Sequence, residues 1–223
     1  MCTGHYARSL AENFLLTPSM SLVPQIYCGG IAETNAYLLA TPLGSHVLID
    51  APEGVTAWLQ KLGIVPTHLL LTHQHFDHVM DAAAVRALGA QVHAFADHDP
   101  ALTLETMARS WGMPDVKPFN VDHKIDPHLP LEIEGVNFSL AHVPGHSPDS
   151  VTFHLEQGEV LFSGDTLFEG SIGRTDIPGH GDHALLIAGI RGKLLTLPKH
   201  TKVYPGHGGA TDIGREIRIN PYL

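Results

Sequence analysis

Short apolar, β-branched runs recur along most of the chain, at 22–27, 36–40, 46–49, 68–71 and 91–95, and again at 135–143, 151–155, 160–162 and 201–204. Several are bounded by Gly or Pro, as strands usually are. Longer stretches of helical character separate them, at 53–62, 81–88, 100–111 and 182–195. The second stops at Gly89, a residue suited to closing a helix. Strands come early as hairpin-like pairs and then alternate with helices, which predicts a mixed α/β fold with helices covering a sheet. No short-period repeat, low-complexity tract or linker interrupts the pattern, so 1–223 reads as a single domain.

Composition removes several classes of function. The apolar fraction of 43% is that of a globular chain. No apolar run approaches the ~18 residues of a membrane-spanning helix, and Arg8, Glu12 and Asn13 interrupt any secretory core near the start. Thirteen Lys and Arg against 23 Asp and Glu give a net charge of −10, which disfavours nucleic acid or an anionic membrane as the main partner. Cys2 and Cys28 are too few for a disulfide framework and fit a reducing cytoplasm.

Histidine is over-represented, at 17 residues. Abundance alone says little; placement beside acidic residues says more. The strand at 68–71 runs into Thr72-His73-Gln74-His75-Phe76-Asp77-His78. Alternation puts His73 and His75 on one side of an extended segment, and Asp77 and His78 fall where the chain turns towards the next helix. Three later segments repeat one arrangement of strand, glycine and potential ligand: Val143-Pro144-Gly145-His146, Phe162-Ser163-Gly164-Asp165 and Tyr204-Pro205-Gly206-His207. Strand ends are where an α/β domain gathers a site.

Five His and two Asp suffice for two metal ions. Neutral imidazole binds Zn²⁺ and similar ions well, carboxylate balances their charge, and the absence of Cys argues against a structural zinc site. One carboxylate can span two ions ~3.5–4 Å apart, and a water held between them loses a proton near neutral pH to become a nucleophile. Zn²⁺ is the first expectation, although Fe or Mn would accept the same ligands.

His73-x-His75-x-Asp77-His78, followed in order by His146, Asp165 and His207, resembles the metallo-β-lactamase fold over nearly the whole chain. It is most similar to the glyoxalase II (hydroxyacylglutathione hydrolase) branch. Ser163-Gly164-Asp165-Thr166-Leu167-Phe168, Gly173-Arg174-Thr175-Asp176 and Asn220-Pro221-Tyr222-Leu223 look like its short members. The resemblance implies a four-layer αβ/βα sandwich with the metals at one edge of two facing sheets. It implies that His73, His75 and His146 hold one metal, that Asp77, His78 and His207 hold the other, and that Asp165 bridges them. Asp50 would orient a ligand histidine, with a plain turn role before Pro52 as the alternative. The implied reaction is hydrolysis of a small-molecule thioester such as S-lactoylglutathione by a hydroxide between the metals, with Asp77 and Asp165 as catalytic-site carboxylates. A thiolate leaves without a proton donor; an amide nitrogen does not.

Several positions depart from that branch. The expectation is a single domain over 1–223 without the helical domain that helps hold glutathione in that branch. Arg174 matches a basic position that grips the tripeptide and could clamp a carboxylate, unless Asp176 or Glu169 engages it. Asp176 and Gly209 stand where the branch has aromatic residues. Persulfide dioxygenase is the alternative, sharing Gly173-Arg174-Thr175-Asp176 and binding one iron through residues corresponding to His73, His146 and Asp165. Gly208 after the last ligand speaks against it, as Asp165 speaks against a zinc β-lactamase. His180 and His183 flank Gly181 and Asp182 near the expected site rim, where contact with substrate is open.

Overall fold

A computed structural model describes residues 22–223, so Cys2, Arg8, Glu12 and Asn13 lie outside the described residues. Two six-stranded sheets form the centre. The first is built, in order, from β1 (Gln25–Gly29), β2 (Thr34–Ala40), β3 (His46–Ile49), β4 (His68–Leu70), β5 (Gln91–Ala94) and β6 (His123–Lys124). The second sheet comes from β7 (Leu131–Ile133), β8 (Val136–His142), β9 (Val151–Leu155), β10 (Val160–Gly164), β13 (Lys202–Pro205) and β14 (Thr211–Asp212). A small hairpin, β11 (Leu167–Phe168) with β12 (Ser171–Ile172), stands apart.

Alternation along the strands explains the layers. In β2, Ala36 and Leu38 face one way and join a cluster with Val55 and Leu59 of α1 (Val55–Leu62), Phe76 and Val79 of α2 (Phe76–Val79), Val85 of α3 (Ala82–Ala87) and Ala108 of α4 (Glu105–Ser110). Tyr37 and Leu39 face the other way, meeting Phe138, Phe153 and Phe162 of the second sheet. Across that sheet, Leu161 and Val203 pack on Leu186 of α5 (His183–Gly189), on Ile190 and Leu194 of the π-helical turn Ile190–Leu194, and on Ile213 of α6 (Ile213–Ile219). Strands covered on both faces read as continuous apolar runs, and the result is the αβ/βα sandwich expected. No helix among the described residues is long and apolar enough to cross a membrane.

Boundaries differ from expectation where local geometry overrules pattern. Pro24 precedes β1, which starts at Gln25 rather than at position 22. The stretch 100–111 is helical only from Glu105, because Leu104 takes a left-handed φ of 56°. Glu134 and Gly135, both at positive φ, make a two-residue hairpin turn that separates β7 from β8. The helices α2 and α6 were not foreseen.

Parallel pairing sets the position of the site. β3, β4 and β5 run parallel, as do β10 and β13, and β8 shares their direction because both it and β10 oppose β9. The chain segments after β3, β4, β8, β10 and β13 therefore emerge at one edge. Between the sheets, Phe153 is fully buried and packs edge-on to Phe138 at 6.2 Å. Phe153→Ala should cost about 3–5 kcal/mol, read as a lowered midpoint in chemical denaturation.

Candidate metal centre

At that edge the seven side chains singled out in the sequence come together. Ligand atoms of His73, His75 and His146 lie within 4.8 Å of one another, as do those of His73, His78 and Asp165, and those of Asp77, His78 and His207. Asp165 joins the groups. Its Oδ1 stands 3.2 Å from His78 Nε2, while its Oδ2 is 3.4 Å from His146 Nε2 and 3.2 Å from His207 Nε2. Asp77 Oδ2 is 3.3 Å from His207 Nε2 and 3.6 Å from His78 Nε2.

The supporting contacts aim one nitrogen of most rings inward. His78 Nδ1 donates to Asp50 Oδ2 at 2.8 Å, His146 Nδ1 to the Arg174 carbonyl at 2.9 Å, and His207 Nδ1 to the Ala32 carbonyl at 3.0 Å. His73 Nδ1 donates to Thr72 Oγ1 at 3.1 Å, and that hydroxyl donates to Asp50 Oδ2 at 2.7 Å. Asp50 thus steadies two rings, and it does so from a left-handed φ of 59° at the end of β3, a conformation that costs energy for a residue other than glycine. Partners of this kind fix tautomer and ring orientation in metal sites. The inward atoms His73 Nε2, His78 Nε2, His146 Nε2 and Asp165 Oδ1 are buried without a hydrogen-bond partner. Buried polar atoms left unpaired are rare, and a cluster of them made of lone-pair donors fits divalent ions.

Charge divides the centre in two. Burial, reinforced by neighbouring imidazoles, holds His73 and His75 well below the ordinary histidine range. Burial opposes charge on His78 and His207 too, but the carboxylates around them prevail. Asp165 and Asp77 push His207 up to about 10, and with Asp50 they raise His78 well above its usual value. Burial would raise Asp77, yet His78 and His207 bring it down to about 2; the same two rings hold Asp165 well below its normal range. The carboxylates that favour protonated rings here would favour bound cations in the same way, so ion binding would be coupled to loss of those protons.

His75 differs from the other rings, since its Nε2 donates to His180 Nδ1 at 3.1 Å. His180 is pinned in turn by its Nε2–H on the Ala101 carbonyl at 3.0 Å. His183 is exposed at the first turn of α5, and Gly209 is exposed two residues beyond His207. Arg174 borders the cavity beside the centre, but its guanidinium lies in a two-pronged pair with Asp176 at 2.8 and 2.9 Å. Glu169 pairs with Arg215 instead. Thr34, whose hydroxyl donates to Asp77 Oδ2 at 2.8 Å, was not singled out in the sequence. Neither was Asp149, buried to 2% exposure, which accepts from Ser147 Oγ at 2.5 Å and from the Gln74 backbone. Burial raises the Asp149 carboxyl to about 6 even against these bonds. It ties the His146 loop to the His73–His75 segment.

Two glycines make room. At Gly164, φ is 50° and a Cβ would lie 2.6 Å from Thr72 Oγ1. At Gly206 a Cβ would fall 2.1 Å from Asp165 Oδ1 and 2.6 Å from His78 Cε1. Gly206→Ala should therefore displace both ligands and lower the bound metal, measured by elemental analysis after gel filtration. Asp50→Asn should weaken metal binding by about 10–100-fold, read by competition with a chromogenic chelator.

Residues 29–207 match the metallo-beta-lactamase superfamily. Hydroxyacylglutathione hydrolase GloC of Haemophilus influenzae is 40% identical over 169 residues, 74% of this chain and 79% of that protein. Among solved structures, the BLEG-1 B3 metallo-beta-lactamase superposes with a TM-score of 0.82 at 40% identity, covering 90% of this chain and 99% of that one. TTHA1623 in a di-iron-bound form superposes at 0.76 and 40% identity, covering 89% and 100%. With its sandwich, its buried His and Asp cluster and a match across most of its length, the chain belongs to the metallo-β-lactamase superfamily and is a metallo-hydrolase.

Proposed function

We propose that the chain is a dinuclear thioester hydrolase of the glyoxalase II type. One observation carries the two-ion reading: both oxygens of Asp165 face ligand nitrogens, Oδ1 towards His78 and Oδ2 towards His146 and His207. His73, His75 and His146 would hold one ion, Asp77, His78 and His207 the other, with Asp165 between. Two bound divalent ions supply an acidified water and an electrophile for the substrate carbonyl.

The chain does the rest. Asp50 and Thr72 keep the rings of His78 and His73 in the orientation that leaves their Nε2 atoms inward, and Thr34 does the same for Asp77. Water adds to the carbonyl carbon, the C–S bond breaks, and the products are a carboxylate and a thiol. Apart from the ligands themselves and the paired Arg174, the cavity is bordered by Ala32, Phe76, Leu104, Met107, Trp111 and Ile177. None of these six can donate a proton to a leaving group. A thiolate, with a parent pKa near 8.5, leaves without one, and this favours a thioester over an amide. The 40% identity to a hydroxyacylglutathione hydrolase points the same way.

Likeness to a B3 metallo-beta-lactamase favours a second reading, β-lactam hydrolysis. The test is anaerobic loss of thioester absorbance with S-lactoylglutathione, on protein of measured metal content, beside a chromogenic cephalosporin. Turnover of the thioester with about two ions per chain is expected, with the cephalosporin slower. Faster cephalosporin turnover would install the second reading, and a single iron with oxygen uptake on a persulfide would install a dioxygenase. Asp165→Asn removes a charge worth several kcal/mol to the ions, so thioester turnover should fall at least about a hundredfold.

A further inference from the structure

The cavity next to the metal centre has two unlike walls. One is the ligand cluster. The other is made by Phe76 of α2, Leu104 and Met107 at α4, Trp111 just beyond it, Ile177 and Ala32. The cavity measures about 160 Å³. Trp111 stands over it with its ring edge-on to Phe76 at 5.9 Å, yet remains 53% exposed. An aromatic ring held half in water beside a reactive centre leaves an apolar surface for a partner to cover. On the rim the Arg174 guanidinium is tied to Asp176 by two bonds, so the apolar side chains are the surface left free to meet a substrate.

Resting on the thioester reading, we propose that this wall selects the acyl group: it takes an unbranched apolar acyl chain, seated between Trp111, Met107 and Ile177 while the carbonyl faces the ligand cluster. About 160 Å³, shared with the ligand cluster, holds a chain of no more than about six carbons. A lactoyl group reaches the ligand cluster as well, but it covers less of this wall than a longer chain does.

The experiment is calorimetric titration of the metal-loaded protein with ketone analogues of acyl-N-acetylcysteamine, in which methylene replaces the sulfur so that no C–S bond can break. Affinity should rise about fourfold per methylene from acetyl to hexanoyl and level off at octanoyl. Trp111→Ala should flatten the series, and Trp111→Phe should restore most of it; the exposed position of the ring keeps both variants folded, checked by circular dichroism. A flat wild-type series overturns the proposal, as does a steep series in Trp111→Ala, a preference for the 2-hydroxyacyl analogue, or an equal gain from lengthening the thiol side. Because binding is read without turnover, a steep series in a protein that hydrolyses no thioester would remove the thioester reading and leave the apolar pocket standing.

Discussion

The buried charge of Asp165 is the constraint around which the rest of this edge is arranged. Its carboxylate is taken out of water at the meeting point of two sheets, where an uncompensated charge would cost several kcal/mol. His78 and His207 answer it directly, and Asp50 stands behind His78 with its own buried carboxylate. Every neighbour then has to respect that set. Gly206 has no side chain because a methyl group there would collide with Asp165, and Asp50 holds a left-handed backbone to reach both Thr72 and His78. Such strain is tolerated where the surroundings over-determine a conformation.

Much of this was legible in the sequence, for a physical reason. His73, His75, Asp77 and His78 lie within one short segment, and His146, Asp165 and His207 each follow a strand and a glycine. Both signals are local, so linear spacing carries them. What escaped reading depends on partners distant in the chain. Thr34 reaches Asp77 across 43 positions and His180 reaches Ala101 across 79; neither contact leaves a local pattern. Asp149 looks like a turn residue until its burial between two ligand loops is seen. From sequence Arg174 reads equally as a clamp or as half of an ion pair; in the structure its guanidinium pairs with Asp176, two residues on. Likewise the run 100–111 has helical composition throughout, but Leu104 at positive φ starts the helix late and so places Met107 and Trp111 beside the centre.

The contrast between the two walls of the cavity has its own logic. Charged and lone-pair groups face one side, and apolar side chains face the other, so a substrate that covers the apolar wall also removes water from the ligand cluster. Electrostatic interactions strengthen as water leaves. The apolar side chains are supplied by α2, α4 and the loop around Ile177 rather than by the sheets, which lets that wall vary while the strand ends keep the ligands in register.

Ligands come from both halves of the sandwich: His73 to His78 follow the first sheet, whereas His146, Asp165 and His207 follow strands of the second. The Asn35 amide bonds the Gly206 carbonyl at 2.7 Å and the Val151 amide bonds that of Thr72 at 2.8 Å, closing the seam at the same edge. Ions bound there would add a reversible cross-link to the side-chain packing and the backbone bonds that hold the two layers together. Contacts of such long sequence separation form late in folding, so ion binding would retard the opening of the seam more than it would speed its closure. Metal supply would then govern the protein's lifetime as a folded molecule, as well as its chemistry.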